Sequence, residues 1–293
     1  MNIAEPALSV ERNSSKHLIR DYSLEMTARD LASLSEAQPF IPQGTRISVT
    51  YLPGEETDAR VGAVAAVRQG GFEPVPHLSA RRIANEAELE GYLELLASKA
   101  GVKEVFVVAG DPDTPLGPYE DALAIIRSGI LPRFGIHHVG ISGYPDGHPA
   151  ITKPVLRQAM FDKISELERQ NLEFSITTQF GFDAEPILHW LAEIRASGVT
   201  CQVKLGVPGP ASIKTLMRFA ARCGVGASAS VLKKYGISIT RLLGSAGPDK
   251  FVNSLSTDIN PSIHGDVGLH LYPFGGLQRT AEWAEQYAGA AGR

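Results

Sequence analysis

The sequence predicts a parallel (β/α)8 barrel of the TIM type. Two observations lead to this fold. Eight short strand-like runs alternate with longer amphipathic stretches, and a chain of 293 residues has the length that one such barrel needs. Alternation of this kind implies parallel strands joined by right-handed crossovers. An open doubly wound sheet is the alternative, but eight units of this size fit a closed barrel better.

The predicted strands are short, β-branched or apolar, and end at turn residues. They cover residues 22–26, 46–52, 72–78, 102–110, 137–142, 174–180, 201–207 and 268–274. Apolar residues at helical spacing predict helices within 57–71, 85–101, 118–129, 154–171, 183–198 and 212–224. The segment from Cys223 to about residue 266 is longer than one loop. It predicts extra helices between strands seven and eight, with 230–236 and 248–256 as candidates.

The chain is expected to form one domain. Residues 1–20 are polar and aperiodic, which predicts an N-terminal arm, and residues 21–293 form the single catalytic barrel. No internal repeat, low-complexity tract or linker divides the sequence.

Composition and charge exclude several classes of partner. The 28 basic and 32 acidic residues give a net charge of −4, so no bulk attraction to nucleic acid or anionic membrane is expected. No apolar run approaches a membrane span, and the N-terminus lacks the apolar stretch of a signal peptide. Cys201 and Cys223 are not in a C-x-x-C pattern, so neither a disulfide framework nor a metal site is expected. We therefore expect a cytoplasmic protein.

In a parallel barrel the active site lies at the carboxyl ends of the strands. Polar residues at or after each predicted strand are therefore the candidates, because several of them converging on one rim indicate a site better than any one alone. In chain order they are Glu25, Thr50, Tyr51, His77, Ser79, Asp111, Tyr144, Asp146, His148, Thr178, Gln179, Asp183, Lys204, His270, Tyr272 and Arg279.

Several of these residues have a purely structural alternative. Glu25 lies in an apolar run, where an acid is rarely buried without a function, but an ion pair within the barrel would also explain it. Asp111 could cap the next helix, and His77 could be a hydrogen-bonded core histidine. Gln179 could bond a neighbouring backbone group, and Lys204 could pair with an acid.

Familiar catalytic motifs are missing from the sequence. It has no phosphate-binding G-x-x-x-x-G-K-[ST] loop and no Rossmann G-x-G-x-x-G. It also lacks H-E-x-x-H, paired C-x-x-C and G-x-S-x-G. These absences weigh against nucleotide hydrolysis, zinc chemistry and acyl transfer.

Six short motifs nevertheless occur in a specific order at the strand ends. After Glu25 in strand one come SVTY (48–51), PHLS (76–79), GDPD (110–113), YPDGHP (144–149) and TTQFGFD (177–183). Their order resembles that of the methylenetetrahydrofolate reductase family over about residues 22–220. A weaker resemblance is seen in HLYPFGGLQR (270–279). The resemblance implies a single barrel that binds FAD. It also implies reduction of 5,10-methylenetetrahydrofolate to 5-methyltetrahydrofolate with NADH or NADPH, by ping-pong hydride transfer through the flavin.

The resemblance assigns roles to individual residues. Glu25 would protonate the bridging nitrogen of the folate, which needs a carboxyl group that holds a proton near neutrality. Asp111 would contact both the flavin and the pterin, and it counts with Glu25 as catalytic. Gln179 would contact the pterin. Phe219 would pack on folate or nicotinamide, and Arg279 is included in the folate site.

The flavin-binding residues follow from the same comparison. Tyr144 and His148 would line the FAD, with the prolines of their loop holding both side chains in place. The structural alternative for that loop is a rigid strand-to-helix turn. The full set of flavin contacts is Thr50, His77, Gly110, Asp111, Tyr144, His148 and Lys163.

The sequence also departs from the family pattern. The first strand reads Leu24-Glu25-Met26 where the family has F-E-F-F, and Ala109 replaces an arginine that contacts the flavin. Three alternatives therefore stay open. The enzyme could oxidise 5-methyltetrahydrofolate, it could reduce the folate without flavin, or the chain could be a non-catalytic folate- or flavin-binding subunit. The extra helices after Cys223 offer a surface for a homo-oligomer.

Overall fold

The structure is a computed structural model, and it describes residues 18–225 and 245–290. Eight parallel strands close into a barrel. They are β1 Ser23–Met26, β2 Arg46–Val49, β3 Glu73–Ser79, β4 Glu104–Val108, β5 His138–Gly143, β6 Glu173–Phe180, β7 Val203–Pro208 and β10 Val267–Tyr272. Around the barrel they neighbour one another in the order β1-β10-β7-β6-β5-β4-β3-β2. The predicted (β/α)8 fold is therefore confirmed.

Helices follow the strands on the outside of the barrel. They are α1 Leu31–Ala37, α2 Thr57–Gln69, α3 Glu86–Ala100, α4 Ala122–Arg127, α5 Lys153–Arg169, α6 Ala184–Ala196, α7 Ile213–Cys223, α8 Asp249–Asp258, α9 Pro261–His264 and α10 Leu277–Ala290. Two short strands, β8 Ala211–Ser212 and β9 Ser245–Ala246, pair antiparallel beside the barrel. Every helix within residues 18–225 and 245–290 is too short or too polar to traverse a bilayer.

The structure adds elements that the sequence patterns did not predict. Helices α1 and α10 and the β8–β9 pair were missed. The expected extra helix within 248–256 is present as α8, whereas the candidate at 230–236 and most of the N-terminal arm lie outside the described residues. Leu18 and Ile19, at the end of the predicted arm, are buried in the hydrophobic core.

Most barrel strands carry apolar side chains on the outer face and several polar ones on the inner face. Leu24, Ile47 and Ile141 are fully buried on the outer face, beneath the helices. Successive side chains of a strand point to opposite faces, so Ser23 and Glu25 point into the barrel. Interiors of this fold are usually filled with branched apolar side chains. Here many interior positions are polar.

Charged groups occupy the base of the barrel, at the amino ends of the strands. Arg46 donates from Nε and Nη2 to the two carboxylate oxygens of Glu104, at 2.8 and 3.1 Å. Burial is the largest single influence and acts to raise the pKa of Glu104, but the hydrogen bonds and charge of Arg46, with the charges of His138 and Lys204, together lower it. Lys204 pairs with Asp21, with Nζ 3.3 Å from the Asp21 carbonyl oxygen. The structural alternative for Lys204, pairing with an acid, is the arrangement observed.

A bulge in β6 positions the polar residues at its carboxyl end. The pairing of β6 with β7 shifts register between Thr177 and Phe180. The backbone N–H of Gly206 donates to the Thr178 hydroxyl at 2.8 Å. A Cβ at position 206 would lie 2.6 Å from the Thr178 carbonyl oxygen and 2.7 Å from the Phe180 nitrogen. Only glycine allows the two strands to approach this closely.

We expect Gly206→Ala to destabilise the fold by about 1–3 kcal/mol, because the added methyl group meets backbone atoms that cannot rotate away. Gly62→Ala is the matched control, since Gly62 is exposed in α2 and a Cβ there meets no heavy atom within 4 Å. The control should gain about 0.5–1 kcal/mol. Urea unfolding of both variants measures the difference. A Gly206→Ala protein as stable as the parent chain would contradict the packing argument.

Candidate active site

Three titratable side chains from different strands meet inside the barrel, towards the carboxyl ends. Oε2 of Glu25 on β1 lies 4.0 Å from Nε2 of His77 on β3 and 3.8 Å from Nε2 of His270 on β10. On the far side of its ring, His270 shares a 2.8 Å hydrogen bond between Nδ1 and the hydroxyl of Ser23. The glutamate is thus held between two histidines, one of which is oriented by a serine.

Two members of this cluster were missed or misplaced by sequence reasoning. Ser23 was not a candidate, and His270 was expected at the rim, whereas it lies within β10 and is 3% exposed. The signal that could have found Ser23 is the period-two alternation of S-L-E-M, which places Ser23 and Glu25 on the same face. Adjacency of β1 and β10, which barrel closure produces, then brings His270 beside them.

His77 is held in its neutral form. Burial is the main cause that lowers its pKa to about 4, and the proximity of His270 acts in the same direction, while Glu25 acts to raise it. The imidazole packs against Phe106 with ring centroids 4.8 Å apart. A neutral ring beside Glu25 can donate or accept a hydrogen bond.

An aromatic wall continues from the cluster towards the outside. Tyr272 follows His270 on β10, and its hydroxyl donates to the Thr178 carbonyl oxygen at 3.0 Å. Burial raises the pKa of Tyr272, so the phenol stays protonated. Beyond it, the rings of Phe274 and Phe219 stack with centroids 4.0 Å apart and planes 11° apart. Phe219, which is expected to pack on folate or nicotinamide, therefore lies in an aromatic surface on which a planar ligand could stack.

One residue at the end of β2 has a feature that suits a bound cofactor. The Thr50 hydroxyl is buried and, among the described residues, has no hydrogen-bond partner. A buried hydroxyl of this kind is costly unless a ligand or water satisfies it. Gly110, beyond the end of β4, has a φ of +92°, and a Cβ there would collide with the hydroxyl of Ser79. The missing side chain at Gly110 therefore makes room for Ser79.

The loop after β5 brings Tyr144 and His148 together. Their rings meet edge to face with centroids 5.6 Å apart, and the backbone N–H of Ala150 donates to Nδ1 of His148 at 3.2 Å. On α5, Lys163 is buried. Burial lowers the pKa of Lys163, and the charge of Asp121 opposes that shift. A buried ammonium is costly without an anionic partner, and the charge of Asp121 partly supplies one.

The other expected residues have weaker connections to the cluster. Asp111 is 73% exposed, lies 3.8 Å from a guanidinium nitrogen of Arg82, and caps no helix. Gln179 accepts a hydrogen bond from the Phe180 backbone at 3.2 Å, which is the structural alternative considered above. Arg279 is exposed on α10, and no contact among the described residues joins it to the other candidates.

The described residues contain no group of three or more His, Cys, Asp or Glu side chains that could hold a metal ion. The groups of the cluster itself can transfer a proton through a carboxyl group, form hydrogen bonds through imidazoles, and stack a planar ring on aromatic side chains.

Comparison with known proteins identifies the family. The family described as methylenetetrahydrofolate reductase matches residues 28–239. The chain belongs to the methylenetetrahydrofolate reductase family. The matched residues begin after Glu25 and end before β10, so the Glu25–His270 cluster is defined by the geometry rather than by the family match.

Individual relatives are distant. Methylenetetrahydrofolate reductase 2 of Saccharomyces cerevisiae is 26% identical over 137 residues, which cover 43% of this chain and 21% of the yeast protein. The chain thus matches about a fifth of the length of that relative. An uncharacterized protein from Clostridium thermocellum that binds two copies of 5-methyl-5,6,7,8-tetrahydrofolic acid has the same fold. Its TM-score is 0.61 over 91% of this chain and 92% of that chain, at 12% identity.

The low pKa of His77 predicts a pH-dependent loss of stability. An unfolded chain protonates this ring near pH 6.5, whereas the folded ring stays neutral down to about pH 4. Protonation of His77 therefore favours the unfolded state between about pH 4 and about pH 6.5. The free energy of unfolding should fall as the pH is lowered from about 6.5 to about 4, by at most about 3 kcal/mol from this residue. Urea unfolding across that range measures it.

His77→Gln is the comparison, because glutamine keeps hydrogen-bonding capacity but does not titrate. The pH dependence of stability should be shallower in this variant than in the parent chain. Identical slopes for the two proteins would show that His77 is not held neutral in the folded state.

Proposed function

We propose that this chain is a folate oxidoreductase that reduces 5,10-methylenetetrahydrofolate to 5-methyltetrahydrofolate with NADH or NADPH and uses FAD. The observation that carries the proposal is the position of Glu25 between His77 and His270 near the carboxyl ends of the strands, in a chain of this family. The folate named for the Clostridium thermocellum protein, which has the same fold, supports the substrate class.

Glu25 is the proton donor in this proposal. Its carboxyl group gives a proton to the bridging nitrogen of the folate, and the five-membered ring of the substrate opens to an iminium that can accept a hydride. His270 orients the carboxyl group. When the Ser23 hydroxyl donates to Nδ1 of His270, the ring proton lies on Nε2, which faces Glu25. That arrangement can return a proton to Glu25 after each turnover.

The aromatic wall would bind the planar parts of the substrates. Phe219 and Phe274 already stack, and Tyr272 lies beside Phe274 with ring centroids 5.7 Å apart. A pterin or nicotinamide ring placed against this surface would bury apolar area and exclude water from Glu25. Exclusion of water strengthens the interaction between Glu25 and the substrate nitrogen.

Four residues fit the proposed FAD. Thr50 offers a buried hydroxyl that needs a partner, Tyr144 and His148 lie together in the loop after β5, and Lys163 is a buried cation on α5. When bound, FAD would supply hydride transfer between the nicotinamide and the folate. The arginine that the family pattern places before Gly110 is absent, because position 109 is alanine. Arg82 nevertheless places a guanidinium nitrogen 3.8 Å from a carboxylate oxygen of Asp111.

The visible spectrum of the purified protein tests the cofactor and both substrates. A flavin absorption band should bleach with anaerobic NADH or NADPH and return when 5,10-methylenetetrahydrofolate is added. A colourless protein that takes up no added FAD would exclude the flavin. If that protein still oxidised NADH in the presence of the folate, the reductase proposal would stand without the flavin.

The direction of the reaction is tested with the same preparation. Rates with methylenetetrahydrofolate and NADH are compared with rates for methyltetrahydrofolate and an electron acceptor. Because a general acid becomes a general base in reverse, Glu25 serves both directions. A markedly faster oxidation would reassign the enzyme as a 5-methyltetrahydrofolate oxidase.

Glu25→Gln should lower folate-dependent turnover by at least about 100-fold, because the amide cannot donate the proton. Reduction of a quinone acceptor by NADH should keep its rate, since that half-reaction does not protonate the folate. Glu36→Gln, an exposed position on α1, is the control and should leave both rates unchanged. Full folate turnover in Glu25→Gln would rule out the proposed proton donor.

A further inference from the structure

A polar cavity of about 40 Å³ lies inside the barrel, below Glu25. Its lining extends from His270, which is 3% exposed, to Arg46 at the base, whose side chain is 37% exposed. Side chains with hydroxyl, imidazole, amide or charged groups make up most of the lining, among them Ser23, His138, Ser175, Gln202 and His270.

Two histidine–serine pairs meet at this cavity from opposite ends. On the upper side, Ser23 and His270 share the 2.8 Å hydrogen bond described above. On the lower side, Nε2 of His138 lies 2.9 Å from the hydroxyl of Ser175. All four side chains line the cavity. Both serine hydroxyls therefore lie at the same cavity, and each is hydrogen-bonded to one of the two histidines.

Each histidine also has a glutamate on its outer side. Nε2 of His270 lies 3.8 Å from Glu25, and Nδ1 of His138 lies 3.8 Å from Oε2 of Glu173. Glu173 begins β6 at the base of the barrel, and its side chain is 78% exposed. A series of polar groups thus runs from bulk solvent at the base to the carboxyl group in the active site.

The cavity is large enough for a bound water. A buried water needs roughly 10–15 Å³ of accessible space and two to four polar partners. The observed volume and lining satisfy both conditions. A water in this position would bridge the hydroxyls of Ser175 and Ser23, and would offset the cost of burying polar groups where the fold usually places branched apolar ones.

We propose that this series of groups is a proton path that reprotonates Glu25 from the base of the barrel, through His138, Ser175, buried water, Ser23 and His270. The path rests on the proposed function, because the proton that it restores is the one that Glu25 gives to the folate. With substrates covering the carboxyl-end rim, a route through the base keeps Glu25 in exchange with solvent.

The transfer conserves atoms and charge. One proton enters from solvent at Nδ1 of His138, and the proton on Nε2 leaves to the Ser175 hydroxyl. The hydroxyls and the water each accept one proton and donate another, and Ser23 donates to Nδ1 of His270. The proton on Nε2 of His270 then moves to Oε2 of Glu25. Both histidines change tautomer, and their return to the starting tautomers resets the path.

The surroundings keep His138 neutral, as such a relay requires. Burial is the main cause that lowers the pKa of His138, and the charge of Arg46 adds to it, while Glu104 and Glu173 oppose it. A neutral imidazole can accept a proton on one nitrogen and release one from the other without leaving a charge inside the barrel.

Hydrogen exchange tests the path without cofactor or turnover. With ¹⁵N-histidine-labelled full-length protein, the exchange of the His270 ring N–H with deuterated solvent is measured by NMR. His138→Gln and Ser175→Ala should each slow this exchange by at least about tenfold, because each removes one proton-conducting group. Gln202→Leu removes a polar lining group outside the series and should leave the exchange rate unchanged. Unchanged exchange in both test variants would overturn the proposal.

Turnover gives an independent readout. In His138→Gln the folate-dependent rate should fall about tenfold with a larger solvent isotope effect, while NADH-to-quinone reduction stays unchanged. Equal loss of both rates would indicate a merely structural role and would contradict the path. If the parent protein shows no folate turnover, the proposed function fails, and the exchange experiment still tests the path.

Discussion

Closure of the barrel forces every second side chain of eight strands into one shared interior. That constraint organises the rest of the molecule. The outer faces of the strands can be uniformly apolar, because the helices cover them. The inner faces need only be complementary to one another, and here they are complementary through charge and hydrogen bonds. The same geometry produces two clusters of polar groups. Arg46 pairs with Glu104 at the base, and Glu25 lies beside His77 and His270 above them.

A polar interior is costly, and the structure shows how that cost is limited. Each buried charge at the base has a partner of opposite sign, and the buried histidine His77 avoids the cost by remaining neutral. The Thr50 hydroxyl is an exception among the described residues, since it is buried without a partner. Unsatisfied groups of this kind mark positions where a ligand or water completes the structure.

The proposed function depends on the positions of these groups more than on any sequence motif. In that proposal the carboxyl group between two histidines transfers a proton, and the aromatic surface beside it binds planar rings. The connection from His270 through Ser23 to the lower histidine–serine pair extends the active site through the barrel. If that connection carries protons, the polar interior is part of the mechanism as well as of the fold.

Much of the fold follows from local patterns. The eight strands coincide with short β-branched or apolar runs that are terminated by turn residues. The main helices coincide with segments in which apolar residues recur at helical spacing. Helix α1 was missed because it is only seven residues long. Helix α10 was also missed, although its buried residues Leu277, Ala281 and Ala284 recur at helical spacing, so that signal was present in the sequence. Glu25, His77 and Tyr272 could be chosen as candidates from their positions at strand ends alone.

The sequence by itself determined the order of the strands and main helices, and with them the barrel. These properties depend on neighbouring residues, whose spacing is visible along the chain. Only the tertiary structure decided that Ser23 and His270, which are 247 residues apart, share a hydrogen bond, and that His138 and Ser175 face them across one cavity. Such contacts depend on the register and closure of distant strands, which no local pattern encodes.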